Sequence, residues 1–207
     1  IMKTAKTHDE NTKLIAVYRA HIKGLMMTSG TQALATLLNS ERIYEDLTLA
    51  FEHPDKWSQK IVLREFVDVP IEYEYRGFVV DGKLTCMCQY YHFAYFEHLH
   101  KDKDKIEKMV TEFFDSLKDK VPLTEKTYVI DFAMDLPNNK VYLIEINPFG
   151  KYIGMGTSTA MFDMQKDEAI LFGRAGWEFR METKPPTNIL PLCNNAMRAL
   201  LETKLQE

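Results

Sequence analysis

Two apolar segments joined by a short polar turn restrict the fold of this chain more than any other feature. Thr127–Met134 and Lys140–Ile146 are rich in β-branched and aromatic residues, and Leu136–Asn139 lies between them. Segments of this composition around a turn rich in Pro and Asn are typical of a β-hairpin. Each segment also carries one acid, Asp131 and Glu145 respectively. We therefore expect two adjacent antiparallel strands, each with a carboxylate.

A second hairpin is predicted where Asp81-Gly82 separates Glu74–Val80 from Lys83–Tyr91. An Asp-Gly pair between strand-like runs is among the strongest short signals for a hairpin turn. Three further segments have the composition of strands: residues 1–7, Lys60–Val67 and Trp177–Met181.

Helices are predicted before, between and after these strands. Lys101–Lys120 has helical periodicity, and its apolar residues form one stripe: Ile106, Met109, Val110, Phe113, Phe114 and Leu117. A helix start at residues 28–31 and a helix over Ser40–Phe51 are predicted nearer the N-terminus. The second of these is expected to bury Ile43, Leu47 and Leu49 or Ala50. Three other segments complete the prediction: residues 157–172 and Asn194–Gln206 as helices, and residues 12–27 as either a helix or two short strands.

These elements predict an α+β fold, a mostly antiparallel sheet with covering helices. We expect three parts: a small α+β segment at residues 1–57, the sheet at residues 58–183, and a proline-rich connector with a C-terminal helix at residues 184–207. Because the chain opens on Ile1-Met2-Lys3 inside a strand-like run, we expect it to be a piece of a longer protein.

Composition and charge exclude several classes of protein. The 207 residues are 45% hydrophobic and 27% charged, which is typical of a globular domain and not of a disordered chain. The net charge of −4 disfavours a dedicated nucleic-acid binder. No apolar run reaches the roughly 18 residues of a membrane span, and no signal peptide is visible. The 3 cysteines are expected to be reduced thiols, so we expect a cytoplasmic, intracellular protein.

The two strand acids predict a metal site. Asp131 and Glu145 share a face if their strands are adjacent, and Asn147, two residues further along, points the same way as Glu145. Hard oxygen ligands of this kind suit Mg²⁺, especially where phosphates fill the remaining positions. The alternative is a pair of strand acids that are partly exposed or bonded to an arginine.

A phosphate contact is predicted on the other hairpin. Glu74 and Arg76 share a strand face, and an arginine can hold a phosphate with two hydrogen bonds. The alternative is an exposed ladder of opposite charges.

Taken in order, these segments resemble an ATP-grasp domain, and more closely the branch related to cell division cycle protein 123. The resemblance covers about residues 1–182, and it depends on the order of several short motifs: Ser40-Glu41-Arg42, Leu63-Arg64, Glu74–Val79, Gln89-Tyr90-Tyr91, Asp131, Glu145–Phe149, Phe162-Asp163-Met164 and Glu178-Phe179-Arg180. It implies an ATP-grasp fold, with a small lid subdomain at residues 1–57 and a larger core, and it implies ATP and Mg²⁺ as cofactors.

The resemblance also implies roles for individual residues. Asp131, Glu145 and Asn147 would bind Mg²⁺ on the ATP phosphates. Arg76 and Lys3 would have catalytic contacts with the phosphates. The remaining implied nucleotide contacts are Lys6 at the phosphates, Glu65, Phe66 and Val67 at the adenine edge, and Lys151 at a phosphate or substrate.

Three functions remain open at this point. The first is an ATP-dependent ligase that phosphorylates a carboxylate acceptor before a nucleophile attacks the acyl phosphate. The second is an ATP-binding assembly factor, as in the related branch, where the protein partner is the gamma subunit of translation initiation factor two. The third is an RNA-directed ATP-using enzyme, in which aromatic residues of Tyr90–Phe96 stack on bases. Packing in the core is the favoured explanation for those aromatic residues.

Overall fold

The computed structural model describes residues 10–55, 60–117, 120, 126–150, 158–193 and 198. The chain divides into two compact units. The sheet unit comprises Ile1–Tyr18 and Val69–Glu207, and the helical unit comprises Arg19–Asp68. The predicted strand at residues 1–7 and most of the predicted helix Asn194–Gln206 lie outside the described residues.

A five-stranded sheet forms the centre of the sheet unit, in the order β4-β3-β1-β2-β5. Neighbouring strands are antiparallel except β2 and β5, which are parallel. The strands are β1 Glu74–Val80, β2 Lys83–Gln89, β3 Tyr128–Asp135, β4 Lys140–Pro148 and β5 Glu178–Arg180. Both predicted hairpins are confirmed, and the turn between β1 and β2 has φ values of +51° at Asp81 and +75° at Gly82. Positive φ at both central residues is the requirement that makes Asp-Gly a preferred hairpin turn.

Helix α4, Lys103–Leu117, packs on one face of the sheet. It follows a 3₁₀ helix at Glu97–Asp102. Ile106, Val110 and Phe114 of α4 are buried, in agreement with the predicted apolar stripe. The ring of Phe113 lies edge-on to Phe132 of β3, with 6.2 Å between centroids.

The opposite face is covered by the segment that follows β4. Its core comprises buried residues from the strands and from this segment: Phe78, Cys86, Cys88, Val129, Phe149, Phe162 and Leu171. The prediction that residues 157–172 are mostly helical is wrong, because only α5, Glu168–Leu171, is α-helical. The carboxylate of Asp163 accepts hydrogen bonds from the backbone N–H groups of Gln165 and Lys166. Side-chain bonds of this kind compete with helical hydrogen bonding and favour turns.

Of the ambiguous residues 12–27, residues 12–24 form a helix, since α1 runs from Glu10 to Gly24, and residues 25–27 follow its end. Leu14, Ala16 and Val17 are buried in its first half. The carboxamide of Asn11 donates to the carbonyl of Tyr95 at 2.9 Å and accepts from the Tyr95 N–H at 2.8 Å. These two bonds attach the start of α1 to the loop after β2.

The helical unit contains α2, Gly30–Leu38, and α3, Glu41–Glu52. Ser29 and Ser40 cap them, since each side chain accepts a hydrogen bond from the backbone N–H of the third residue of its helix, Gln32 and Ile43 respectively. Neither helix has a buried residue, so the predicted burial along α3 is wrong. The strand predicted at Lys60–Val67 is also wrong: its residues are exposed and form no helix or strand. A strand is stable only when its backbone pairs with another strand.

None of the helices in the described parts of the chain combines the length and the apolar character needed to cross a lipid bilayer.

Candidate functional site

Five side chains in register form a line across the sheet, which we call the charged row. On β1, Arg76 lies opposite Asp131 of β3 on one side and Cys88 of β2 on the other. Asp131 in turn lies opposite Glu145 of β4, and Cys88 lies opposite Arg180 of β5. Residues directly opposite each other on neighbouring strands share a face. The row therefore lies on the face that the segment after β4 covers.

An ion pair between Arg76 and Asp131 is the centre of the row. Arg76 Nε donates to Asp131 Oδ1 and Nη2 donates to Oδ2, both at 2.8 Å. Arg76 Nη1 donates to the carbonyl of Ser158 at 2.9 Å. The guanidinium also lies 4.9 Å from the ring centroid of Tyr90. Arg76 is only 7% exposed and Asp131 only 3%, so this pair is a buried one.

Burial opposes both charges of the pair. It lowers the pKa of Arg76, but the hydrogen bonds and charge of Asp131 outweigh this effect and hold the pKa above its usual value. Burial raises the pKa of Asp131 above its usual value, although the hydrogen bonds from Arg76 act in the other direction. The charge of Glu145 on the next strand raises the pKa of Asp131 further.

The three predicted metal ligands lie on one face of β3 and β4. Asn147 is opposite Val129, two residues before Asp131, and Glu145 is opposite Asp131 itself. Glu145 is exposed and Asn147 is half-buried. The described part of the chain contains no group of three or more His, Cys, Asp or Glu residues placed to hold a metal ion. In this structure Asp131 is bonded to Arg76 and Glu145 is exposed, as in the alternative of strand acids that are partly exposed or bonded to an arginine.

Arg180, at the other end of the row, makes a second bidentate contact. Its Nη1 and Nη2 atoms donate to the two carboxylate oxygens of Asp167 at 2.7 and 2.8 Å. Nε donates to Glu178 at 2.6 Å, Nη1 also donates to the Met161 carbonyl at 3.0 Å, and the guanidinium lies 4.2 Å from the Phe162 ring centroid. The hydrogen bonds from Arg180 lower the pKa of Asp167 to about 2. These contacts attach the covering segment to β5.

Sequence reasoning missed the pairing of Asp167 with Arg180. The two residues are 13 positions apart and no single helix or strand contains both, so periodicity carries no signal of their contact. Arg180 was recognised only as part of a motif of the resembling family.

The other predicted nucleotide contacts lie in the helical unit or outside the described residues. Glu65, Phe66 and Val67 are exposed residues of the helical unit. Lys3, Lys6 and Lys151 lie outside the described residues. The roles assigned to these six residues stay predictions.

The aromatic segment after β2 packs within the sheet unit. Tyr91 and Phe96 are buried, and the ring of Tyr91 lies 4.7 Å from that of Tyr18, measured between centroids. Tyr90 lies against Arg76. The preference for a core role over base stacking is thus confirmed for Tyr91 and Phe96.

Comparison with proteins of known family gives consistent matches. A viral relative, "Putative CDC123-like protein L884" of Acanthamoeba polyphaga mimivirus, is 26% identical over 177 residues, which are 84% of this chain and 53% of that protein. Two relatives named "Translation initiation factor eIF2 assembly protein" come from Vanderwaltozyma polyspora and Danio rerio. The first is 36% identical over 124 residues, which are 56% of this chain and 33% of that protein. The second is 31% identical over 120 residues, which are 55% of this chain and 34% of that protein. The chain thus spans about half the length, or less, of these relatives.

Solved structures of Cdc123 from Schizosaccharomyces pombe share the fold. One structure of Cdc123 matches with a TM-score of 0.58 at 23% identity, over 76% of this chain and 63% of that chain. A C-terminally truncated form matches with a TM-score of 0.59 at 24% identity, over the same shares of the two chains. The model of the D123 family matches residues 18–175. Since that match covers more than half of the sequence, this chain belongs to the D123 family.

Proposed function

We propose that this chain is the nucleotide-binding part of a factor that assists the assembly of a translation initiation factor. The observation that carries the proposal is its similarity to several proteins named "Translation initiation factor eIF2 assembly protein". The protein partner of this chain is then a subunit of eIF2. Family membership supports this function over that of a small-molecule enzyme.

The nucleotide in this proposal is Mg·ATP, bound with an ATP-grasp fold at the Glu145 end of the charged row. Asp131, Glu145 and Asn147 would hold the metal. The carboxylate oxygens of Asp131 each accept one bond from Arg76 and keep a second lone pair for a metal. Glu145 is exposed, and no described residue forms a hydrogen bond or an ion pair with it. Two carboxylates and an amide oxygen on one sheet face fit a hard divalent cation.

Arg76 would act on the phosphates in this arrangement. Mg²⁺, when bound, offsets the negative charge of the phosphate chain. Arg76 already has its guanidinium fixed by Asp131 and Ser158, so it is positioned before any ligand binds, which reduces the entropy lost on binding. Lys3, Lys6 and Lys151 are the further phosphate contacts that the resemblance implies.

An ATP-dependent ligase is the second candidate. The same oxygen ligands and the same arginine would serve a reaction in which a carboxylate acceptor is phosphorylated. The observation that supports it is the bond from Arg76 to the Ser158 carbonyl, which links the charged row to the covering segment, from which a ligase would have to build its acceptor pocket. Release of ADP that requires an added carboxylate would support the ligase, whereas the assembly factor needs no such acceptor.

Calorimetric titration of the whole chain with ATP in the presence of Mg²⁺ tests nucleotide binding. We expect saturable binding that requires Mg²⁺, and its loss in Glu145→Ala. Glu112→Ala is the matched control, because Glu112 is an exposed acid on α4, away from the charged row. Absence of binding by the folded chain, or unchanged affinity in Glu145→Ala, would contradict the proposed site.

Sedimentation of the chain with purified eIF2 subunits tests the partner. We expect one subunit to form a complex whose stability increases when Mg·ATP is present. If the chain binds Mg·ATP but sediments separately from every subunit, the assembly function is wrong for this chain while the nucleotide site stands.

A further inference from the structure

A groove of about 330 Å³ opens beside β5, where the sheet, the start of α4 and the covering segment meet. It lies at the Arg180 end of the charged row, four strands from Glu145. The proposed nucleotide site therefore does not account for it. A volume of this size is within the usual range for a specific binding site.

The floor of the groove is apolar. Phe179 is 4% exposed and Met181 is 8% exposed, and the half-buried Met161 lies on the side of the covering segment. An aromatic ring together with two methionines makes an adaptable apolar surface, because the methionine side chain has several flexible bonds and a polarisable sulfur.

The rim of the groove carries three basic side chains. These are Lys103, Arg180 and His100, and none of the described lining residues is acidic. Arg180 has its guanidinium occupied by Asp167 and Glu178.

Lys103 differs from Arg180 in this respect. Its ammonium lies 5.5 Å from the centroid of the Phe179 ring, and among the described residues no carboxylate pairs with it. Although the chain has a net charge of −4, the Lys103 ammonium is thus a cation available to a ligand, directly above the apolar floor.

We infer that this groove binds a short acidic–apolar segment of the protein partner. An Asp or Glu carboxylate of that segment pairs with Lys103, and a neighbouring aliphatic side chain packs on Phe179, Met161 and Met181. Because Arg180 is already paired with Asp167 and Glu178, it is the charge complementarity between the Lys103 ammonium and a carboxylate that selects this occupant. This inference rests on the proposed function in one respect, namely that the bound segment belongs to a protein partner.

Methyl NMR of the whole chain, labelled with ¹³C at its methionines, tests the inference without nucleotide or eIF2. The probes are two capped dipeptides, acetyl-Leu-Asp-amide and its uncharged counterpart acetyl-Leu-Asn-amide. Met161→Leu and Met181→Leu identify the two signals. We expect the Asp peptide to shift both signals saturably and the Asn peptide to bind about fivefold more weakly, the effect of losing one partly exposed ion pair.

Lys103→Gln is the critical variant, and Lys105→Gln is its matched control, since Lys105 is an exposed lysine of the same helix that does not line the groove. We expect about fivefold weaker binding of the Asp peptide in the first variant, from loss of the same ion pair, and unchanged binding in the second. The inference is overturned if neither methionine signal shifts, if both peptides bind equally, or if Lys103→Gln has no effect. A negative result here does not bear on the Mg·ATP site or the eIF2 partner. Negative results in those two experiments likewise do not bear on peptide binding in the groove.

Discussion

The guanidinium of Arg76 and the carboxylate of Asp131 face each other across β1 and β3, joined by two parallel hydrogen bonds of 2.8 Å. Both side chains are buried. Removing one partner leaves the other charge buried without its counter-ion, which costs about 3–5 kcal/mol. We therefore expect Asp131→Ala to lower the free energy of unfolding by an amount in this range, measured by chemical denaturation. Replacing both residues with apolar ones, as in Arg76→Met with Asp131→Leu, should restore most of the loss.

Glu145→Ala is the control for this prediction. Glu145 lies beside Asp131 on the neighbouring strand but is exposed, so we expect a change within about 0.5 kcal/mol. Equal effects of Asp131→Ala and Glu145→Ala on stability would mean that the ion pair does not stabilise the fold. The same contrast makes Glu145→Ala the better variant for nucleotide binding, because a loss of affinity in Asp131→Ala is confounded by loss of the fold.

Asp167 should make stability depend on pH in the acid range. Its hydrogen bonds with Arg180 lower its pKa to about 2, while an Asp in an unfolded chain has a pKa of about 3.9. A carboxyl group whose pKa is lower in the folded state stabilises that state above the unfolded pKa, and this contribution is lost as the pH falls towards the folded pKa. We expect the urea midpoint to decrease between about pH 4 and pH 2, and Asp167→Asn to make that decrease smaller.

The wild-type chain and Asp167→Asn are compared by the slope of the urea midpoint against pH, because the substitution can also change stability at neutral pH. Asp163→Asn is not a suitable control, since Asp163 also has a lowered pKa, from its hydrogen bonds with backbone N–H groups. Identical slopes in the wild-type chain and Asp167→Asn would show that the contact with Arg180 does not persist in solution.

Gly77 should not tolerate a side chain. A Cβ atom at this position in β1 would lie 2.7 Å from Leu84 Cδ1, 3.1 Å from Phe132 Cε2 and 3.2 Å from Ile130 Cγ2. Overpacking of a filled core costs about 1–3 kcal/mol, which outweighs the gain of about 0.5–1 kcal/mol from replacing a strand glycine with alanine. We expect Gly77→Ala to lower the melting temperature, and Gly176→Ala, which meets no atom within 4 Å, to leave it nearly unchanged. Equal melting temperatures would mean that Leu84 and its neighbours move aside at little cost.

The local elements of the sheet were predictable from sequence, because turn chemistry and side-chain pattern act over a few residues. The Asp81-Gly82 turn is the clearest case, since its two positive φ angles are what this residue pair adopts readily. The pairing of β1 with β3 was not predictable in the same way. It joins segments separated by β2 and α4, and it is this pairing that brings Arg76 to Asp131.

The strand face shared by Glu145 and Asn147 was predictable, and the contacts of the candidate site were not. Spacing placed Glu145 and Asn147 on one face, and the strand register agrees. Spacing carried no information on the partner of Asp131, because a bond between residues 55 positions apart depends on strand order. The exposure of Leu47 and of residues 61–67 was missed for a related reason. Periodicity identifies an apolar face without identifying what covers it.

The three cysteines should be unreactive in the folded chain. Cys86, Cys88 and Cys193 are free thiols, and all three are buried. Burial raises the pKa of both Cys86 and Cys88 to about 12, so at pH 8 only about one thiol in ten thousand is present as the reactive thiolate. We expect the native chain to react slowly with Ellman's reagent at pH 8, and all three thiols to react at once in concentrated guanidinium chloride. In Cys193→Ser only Cys86 and Cys88 on β2 remain to react, so this variant reports on these two thiols alone. Rapid release of one or more equivalents from native Cys193→Ser would show that Cys86 or Cys88 is accessible, contrary to the packing of the covering segment on the sheet.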